Sequence, residues 1–194
     1  MTRSLAVDVE IAFWTLFAAW VLGELWLQRR CRLPAGATPG DRGSMALLIV
    51  SVWCGVVLGL AAGLLLPGAG VRVGDRELFD TGLALMLGGL ALRWYAVAVL
   101  GAAFTVTVGT RSDHGLVARG PYRWVRHPSY AGSLLTILGV LLCATNLVAL
   151  LAFALPVAGY AYRIRVEERA LAEGLGDEYR RYMRQTARLV PFLL

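Results

Sequence analysis

The chain has 194 residues, of which 58% are hydrophobic and 16% charged, whereas soluble domains average about 45–50% apolar and about 25% charged residues. This composition excludes a disordered chain, and the length fits one modest domain rather than a tandem array. All 19 basic residues are arginines, and the net charge is +6. Because most of them lie beside long apolar runs, the basic character indicates a membrane protein and no nucleic-acid partner. The three cysteines are widely spaced and odd in number, so they suggest neither a disulfide framework nor a metal site.

Charge-poor runs long enough to cross a bilayer, about 20 residues per helix, occur in four regions. The segment before the first run has the wrong charge for a signal peptide. The fourth run, Ser129 to Tyr162, has 34 residues without a formal charge, which is too long for one crossing. A cut at 144–146 gives two helices in a tight hairpin, the second of them bent at Pro156. The prediction is a single-domain, all-α integral membrane protein over 1–194 with five transmembrane helices, at about 11–27, 44–66, 78–100, 129–143 and 147–162, followed by a C-terminal helical segment at 163–194.

Two features inside the predicted spans indicate how the helices pack. Gly55, Gly59 and Gly63 recur at every fourth position of the second span, which predicts a close approach of another helix. Glu24 and Arg93 each lie near the same end of a span. Charged residues at that depth are costly unless they are paired, so we expect these two to form a structural ion pair.

The arginines predict the orientation of the chain. With five spans, 15 of the 19 arginines lie on one side of the membrane: four in 29–42, four in 111–126 and seven in 163–188. Arg3, Arg72 and Arg76 lie on the opposite side, and Arg93 lies within a span. By the positive-inside rule the amino terminus then lies outside and the carboxyl terminus in the cytoplasm. We expect the inner (plasma) membrane of a bacterium.

Two polar stretches, 101–127 and 163–194, flank the predicted hairpin on its cytoplasmic side, so we expect them to lie close together. Both are rich in aromatic and ionisable residues. Pro128 restricts the backbone of His127, and Ser129 is a candidate N-cap for the following helix. The prediction is a cytoplasmic cofactor pocket built by 101–130 and the C-terminal segment; the alternative is an aromatic belt that only anchors the protein at the membrane interface.

Arg163 and Glu167 are four residues apart, so they share one helix face with Tyr160. A solvated ion pair at a helix end would explain this spacing. However, both residues lie within about one turn of the hydrocarbon boundary, where ionisable groups are costly and more often functional.

The sequence resembles the isoprenylcysteine carboxyl methyltransferase family, whose wider group includes phospholipid N-methyltransferases. The resemblance covers roughly the last 90 residues. It rests on these motifs: Gly120-Pro121-Tyr122; Arg126-His127-Pro128-Ser129-Tyr130-Ala131-Gly132; Arg163; Glu167-Glu168; Gly176-Asp177-Glu178-Tyr179; Tyr182; Thr186; Arg188-Leu189; and Pro191.

The resemblance implies S-adenosyl-L-methionine as cofactor and a lipophilic methyl acceptor. Arg163 matches the arginine that holds the acceptor's carboxylate, and Arg163 and Glu167 are the expected catalytic residues. The implied cofactor contacts are Thr107, His114, Gly115, Leu116, Val117, Tyr122, His127, Pro128, Ser129, Tyr130, Glu167 and Glu168.

The chemistry is compatible with this resemblance. Methyl transfer from a sulfonium is an in-line displacement, and a carboxylate acceptor is already ionised at neutral pH, so no general base is required. The enzyme has to align two reactants, one entering from the cytosol and the other sideways from the membrane lipids. An isoprenylcysteine-like acid, a fatty acid and another lipid acid all remain possible acceptors, as does N- or S-methylation. The alternatives are an NADPH-dependent membrane sterol or steroid reductase and a non-catalytic membrane scaffold.

Overall fold

The computed structural model describes residues 3–30, 43–71, 74–101 and 116–191. Within these ranges the regular secondary structure is helical, apart from two isolated β-bridges, which confirms the all-α prediction. The helices are α1 (Arg3–Arg30), α2 (Ser44–Leu65), α3 (Asp75–Leu100), α4 (Pro128–Cys143), α5 (Leu147–Ala152), α6 (Ala154–Leu175) and α7 (Asp177–Gln185), with 3₁₀ turns at Pro67–Ala69 and Gly120–Arg123.

Four helical stretches among the described residues are long and apolar enough to cross a membrane: Asp8–Arg30, Ser44–Leu65, Arg76–Leu100 and Leu147–Leu175. The protein is therefore an integral membrane protein. The remaining apolar helix, α4, has only 16 residues, which corresponds to about 24 Å at 1.5 Å per residue. A fifth crossing by α4 stays a prediction.

Helices α3 and α4 pack backbone against backbone. A Cβ atom added to Gly89 would lie 2.6 Å from the carbonyl oxygen of Gly132, and one added to Gly139 would lie 2.5 Å from that of Gly82. Real Cβ atoms do not approach so closely, so glycine is required at these contacts. The repeat of seven residues between the two glycines of each helix keeps them on one face.

The predicted close packing of α2 is confirmed. Gly55 lies against Pro156, Gly59 against Leu141 and Ala149, and Gly63 against Ala144. The small residues thus bring α2 against α5, α6 and the end of α4 within the same chain.

The last two apolar segments are joined at the predicted place, but they do not pack mainly on each other. α4 lies against α3, whereas α5 and α6 lie against α2. Asn146 ends the connection: its side chain accepts hydrogen bonds from Val148 N and Ala149 N and donates to Ala62 O and Leu66 O. The second segment is interrupted at Phe153, three residues before Pro156, whose ring cannot continue the backbone hydrogen bonding. The glycines of α3 thus allow close packing of α4, and the glycines of α2 allow close packing of α5 and α6.

The predicted ion pair between Glu24 and Arg93 is confirmed. The Arg93 guanidinium donates to Glu24 Oε2 at 2.5 Å and to Ser129 Oγ at 2.9 Å. These contacts join the C-terminal part of α1 and of α3 to the start of α4. We call this end of the bundle the polar end. The turn after α2 lies at the opposite end, where Val71 N donates to Thr145 O at 2.9 Å.

Candidate active site

The segment before α4 and the C-terminal segment pair with each other at the polar end. Arg126 N donates to Ala187 O at 2.8 Å, His127 N to Arg188 O at 3.0 Å, and Ala187 N to Trp124 O at 3.0 Å. This short parallel pairing fixes the backbone of His127, just before α4 begins. It confirms that the two polar stretches lie close together.

Helix α7 reinforces the pairing from outside the bundle. The Tyr182 hydroxyl donates to the carbonyl oxygen of Tyr122 at 2.6 Å, and both side chains are buried. Burial raises the pKa of Tyr182 to about 12, so the hydroxyl keeps its proton and remains a donor at physiological pH.

Glu168 gathers three basic side chains beneath this pairing. Its carboxylate is buried and accepts from Arg126 Nε at 2.8 Å and from Arg188 Nε at 3.1 Å. His127 Nε2 lies 3.4 Å from the same carboxylate, without the alignment of a hydrogen bond. Arg126 also donates to the carbonyl oxygen of Met183 at 2.9 Å. Because both oxygens of Glu168 accept from arginines, its main role here is to hold the C-terminal segment.

Glu167, the neighbouring residue, points into a different group of side chains, which we call the Tyr130 cluster: His127, Tyr130, Tyr160, Arg163 and Glu167. The Tyr130 hydroxyl donates to Glu167 Oε2 at 2.5 Å, and Arg163 Nε lies 3.4 Å from the Tyr130 hydroxyl. The His127 and Tyr130 rings are stacked, with centroids 5.4 Å apart and planes 2° from parallel. The Tyr160 ring lies 5.2 Å from that of Tyr130.

Burial within the Tyr130 cluster is uneven. The Arg163 side chain is 1% exposed, whereas that of Glu167, four residues later on α6, is 27% exposed. Arg163 Nε and Glu167 Oε2 are 4.0 Å apart, which is longer than a charge-assisted hydrogen bond. The cluster therefore presents a buried fixed cation beside a carboxylate that water or a ligand can reach.

The cation is also held from α2. Arg163 Nη1 donates to Ser44 Oγ at 2.7 Å, across 119 positions of sequence. Sequence reasoning missed Ser44, since nothing in its local sequence distinguishes it from any other serine at the start of a helix.

The structure thus brings together four of the predicted site residues, His127, Tyr130, Arg163 and Glu167, and places Glu168 directly behind them. Their assignment to cofactor or acceptor stays a prediction. Leu116 and Val117 are half-buried, without regular secondary structure. Tyr122 is buried under α7. The predicted residues Thr107, His114 and Gly115 lie outside the described residues.

The prediction that Ser129 caps α4 is wrong. The helix begins at Pro128, with His127 in the capping position. Proline is favoured at the first helical position, because its missing N–H would have no partner there and its φ angle is already helical. The Ser129 hydroxyl instead accepts from Arg93.

A separate groove of about 430 Å³ opens near the start of α4. It is lined by Leu92, Tyr95, Gly120, Pro121, Arg123, Trp124, Val125, Pro128, Ala131, Leu189 and Pro191. Of the predicted cofactor residues that the structure describes, only Pro128 borders it, so the groove is separate from the Tyr130 cluster.

An S-adenosyl group brings a sulfonium cation, an amino-acid end and ribose hydroxyls, and the described residues fit it in two respects. Glu167 offers a partly exposed carboxylate to cations or hydroxyl donors. His127 Nε2 is buried, and the Glu168 carboxylate 3.4 Å away is not aligned for a hydrogen bond with it. Because a buried polar atom without a partner is costly, it is suited to a polar group of a ligand.

The fold and this cluster define a helical integral membrane protein with a buried arginine, tyrosine and carboxylate site at one end of its bundle. Comparison with known proteins shows what the chain is similar to. The model of the "Isoprenylcysteine carboxyl methyltransferase (ICMT) family" matches residues 82–173. This match covers just under half of the chain and confirms the resemblance carried by its motifs.

Named relatives agree with this match. The chain is 36% identical over 115 residues to protein-S-isoprenylcysteine O-methyltransferase A of Arabidopsis thaliana, covering 58% of each chain. It is 34% identical over 117 residues to the Homo sapiens protein-S-isoprenylcysteine O-methyltransferase, covering 58% of this chain and 41% of that one. A solved structure of a eukaryotic intramembrane Ras methyltransferase, ICMT, superposes with a TM-score of 0.58 at 29% identity, covering 76% of this chain and 52% of that chain. The chain thus spans only about half the length of these relatives.

Proposed function

We propose that the protein is an S-adenosyl-L-methionine-dependent methyltransferase that methylates the carboxylate of a lipophilic acceptor, an isoprenylcysteine-like acid in the first instance. The names of its relatives support the reaction and the class of acceptor. The observation that carries the proposal is the buried Arg163 at the polar end, held by Tyr130 and lying 4.0 Å from Glu167.

Arg163 binds the acceptor in this proposal. Its planar guanidinium presents donors in a fixed fork that matches the two oxygens of a carboxylate. The acceptor is already ionised at neutral pH, so no side chain has to remove a proton. The residues accelerate transfer by fixing the carboxylate's distance and angle to the methyl group, which is catalysis by proximity and orientation.

His127, Tyr130 and Glu167 hold the cofactor in this proposal, together with the remaining predicted contacts. The cofactor supplies an electrophilic methyl group on a positively charged sulfur. Glu167 attracts that charge or accepts from a hydroxyl, and the Tyr130 ring offers its π face to a cation. Glu168 supports this arrangement through Arg126 and Arg188.

The topology proposed here has five crossings, α4 being the short one, and places the polar end at the cytoplasmic face. The excess of arginines at this end supports that orientation, with the amino terminus outside, in a bacterial plasma membrane. The methyl donor then enters from the cytosol and the acceptor from the surrounding lipid. A reporter fused after the carboxyl terminus, active only in the cytoplasm, tests the orientation.

The first experiment measures methyl transfer by the protein reconstituted in phospholipid vesicles. Methyl-labelled S-adenosyl-L-methionine is the donor, and N-acetyl-S-farnesylcysteine, its methyl ester, palmitic acid and a farnesylated amine are the candidate acceptors. The proposal expects labelling of the farnesylcysteine acid and none of its ester. Binding of NADPH together with no binding of S-adenosylhomocysteine in calorimetry would instead indicate a reductase.

Arg163→Lys separates acceptor recognition from donor binding. A hydrogen bond to a charged group is worth about 1.5–3 kcal/mol, so loss of the fork lowers kcat/KM for the acceptor by about 10- to 100-fold. The affinity for S-adenosylhomocysteine stays unchanged. Arg165→Lys, an exposed position of the same helix, is the matched control. Equal effects of the two variants would contradict the role of Arg163.

A further inference from the structure

Ser44, the first residue of α2, contacts the proposed acceptor-binding arginine from a part of the chain that precedes the family region. Arg163 Nη1 donates to its hydroxyl oxygen at 2.7 Å, and the family match begins only at residue 82. We infer that Ser44 is a positioning residue for Arg163, so that recognition of the acceptor's carboxylate depends on α2. This inference rests on the proposed function.

The contact is deeply buried on both sides. Ser44 is fully buried and Arg163 is 1% exposed. A guanidinium without hydrogen bonds at such a site would be strongly unfavourable, and a 2.7 Å contact from a charged donor is at the short, strong end of the range for hydrogen bonds. The Ser44 hydroxyl is therefore a principal anchor of the Arg163 head group.

Packing between α2 and α6 fixes where this anchor stands. Gly159 of α6 lies directly against Ser51 of α2, and Pro156 of α6 against Gly55 of α2. Such close contacts leave little freedom for one helix to slide along the other. Because Ser44 is part of α2, its hydroxyl has a fixed position relative to the backbone of Arg163.

Contacts from two different helices act on the angle of the guanidinium plane. Ser44 of α2 meets Nη1, and the Tyr130 hydroxyl of α4 lies 3.4 Å from Nε. A planar group held at two of its nitrogens cannot rotate about its own axis. A forked contact with a carboxylate requires that plane to be aligned, so removal of the Ser44 hydroxyl loosens the group that orients the acceptor without removing its charge.

The decisive experiment compares Ser44→Ala with Ser51→Ala in the vesicle assay with N-acetyl-S-farnesylcysteine. Ser51 is the matched control, because it lies on the same helix and also packs against α6, but its hydroxyl donates to Leu48 O of its own helix, at 2.9 Å, and not to Arg163. The expected result is a fall in kcat/KM for the acceptor of about tenfold in Ser44→Ala, with unchanged affinity for S-adenosylhomocysteine. In an Arg163→Lys background, Ser44→Ala should have little further effect, because the two residues act through one contact.

A second pair of variants keeps the test valid if Ser44→Ala fails to fold. Threonine and valine have the same shape, and only threonine carries the hydroxyl, so Ser44→Thr and Ser44→Val share the cost of an added methyl group. The inference expects Ser44→Thr to retain a lower acceptor KM than Ser44→Val at equal affinity for S-adenosylhomocysteine.

The outcomes separate this inference from the proposed function. If the wild-type protein methylates the acid but Ser44→Ala behaves as Ser51→Ala does, or Ser44→Thr as Ser44→Val does, the role of Ser44 is refuted and the proposed function stands. A loss of donor affinity that parallels the loss of acceptor affinity also refutes it, since that indicates a general structural defect. If the wild-type protein methylates no acid, the proposed function fails and the role of Ser44 fails with it.

Discussion

The replacement of Glu168 by glutamine tests whether this carboxylate holds the polar end together. The side chain is 5% exposed and that of its partner Arg126 8%, whereas the second partner, Arg188, is 54% exposed. Glu168→Gln keeps the size and one acceptor oxygen but removes the negative charge. Arg188 can then turn to water, whereas Arg126 remains buried with only neutral acceptors such as the carbonyl oxygen of Met183.

The expected loss of stability in Glu168→Gln follows from the difference in burial between Arg126 and Arg188. Breaking one buried ion pair typically costs about 3–5 kcal/mol, because a buried charge is left uncompensated. In Glu168→Gln the glutamine oxygen and backbone carbonyl groups still accept hydrogen bonds from Arg126. We therefore expect a loss of unfolding free energy at the lower end of this range, about 3 kcal/mol. For a chain of this length, 1 kcal/mol corresponds to about 2–4 °C in Tm, so we expect a decrease of about 6–12 °C.

Thermal unfolding of the purified protein in one detergent, at one protein concentration and heating rate, measures this decrease. Glu173→Gln, at an exposed position of the same helix, is the control, and it should shift Tm by no more than about 2 °C because surface substitutions stay within about 0.5 kcal/mol. Glu167→Gln, at the partly exposed neighbour, should lie close to the control in stability. If Glu168→Gln melted with the control, the assignment of Glu168 to structural support would be refuted.

Two further substitutions test the packing and the ion pair within the bundle. Gly89→Ala should lower the free energy of unfolding by about 1–3 kcal/mol, because its Cβ would meet the facing helix. Gly88→Ala is the control: its Cβ meets nothing within 4 Å, so this variant should be neutral or stabilising. Equal Tm values for the two variants would contradict the close α3–α4 contact. Glu24→Leu should lower Tm more than the double variant Glu24→Leu/Arg93→Leu, because replacing both members of a buried pair by apolar residues costs far less than leaving one charge alone. A double variant less stable than the single one would argue against that pairing.

The sequence predicted the helices well, because apolar runs and the residues that interrupt them are local signals. Spans near α1, α2 and α3 and the break at 144–146 all followed from such signals. Which helices face each other did not follow, because that choice depends on close contacts between distant segments. Gly82 and Gly89 let α4 pack closely on α3 at facing glycines, but their spacing is a weaker sequence signal than the regular glycines of α2.

The candidate site shows the same division: residues with a local signal were predicted, and a contact between distant segments was not. The motifs named His127, Tyr130, Arg163 and Glu167, and the spacing on α6 placed the last two on one face. Ser44 escaped prediction because its role exists only through a partner 119 residues away.

The two adjacent glutamates of α6 have different partners. Successive residues of an α-helix point about 100° apart, so Glu167 and Glu168 face different groups of side chains. α6 turns Glu168 towards the C-terminal segment, where two arginines engage both of its oxygens, and turns Glu167 towards Tyr130. α6 thus buries the carboxylate that holds the C-terminal segment and leaves partly exposed the one that we propose to meet the cofactor. Two consecutive carboxylates on α6 thus hold the C-terminal segment through one residue and leave the other accessible beside Arg163.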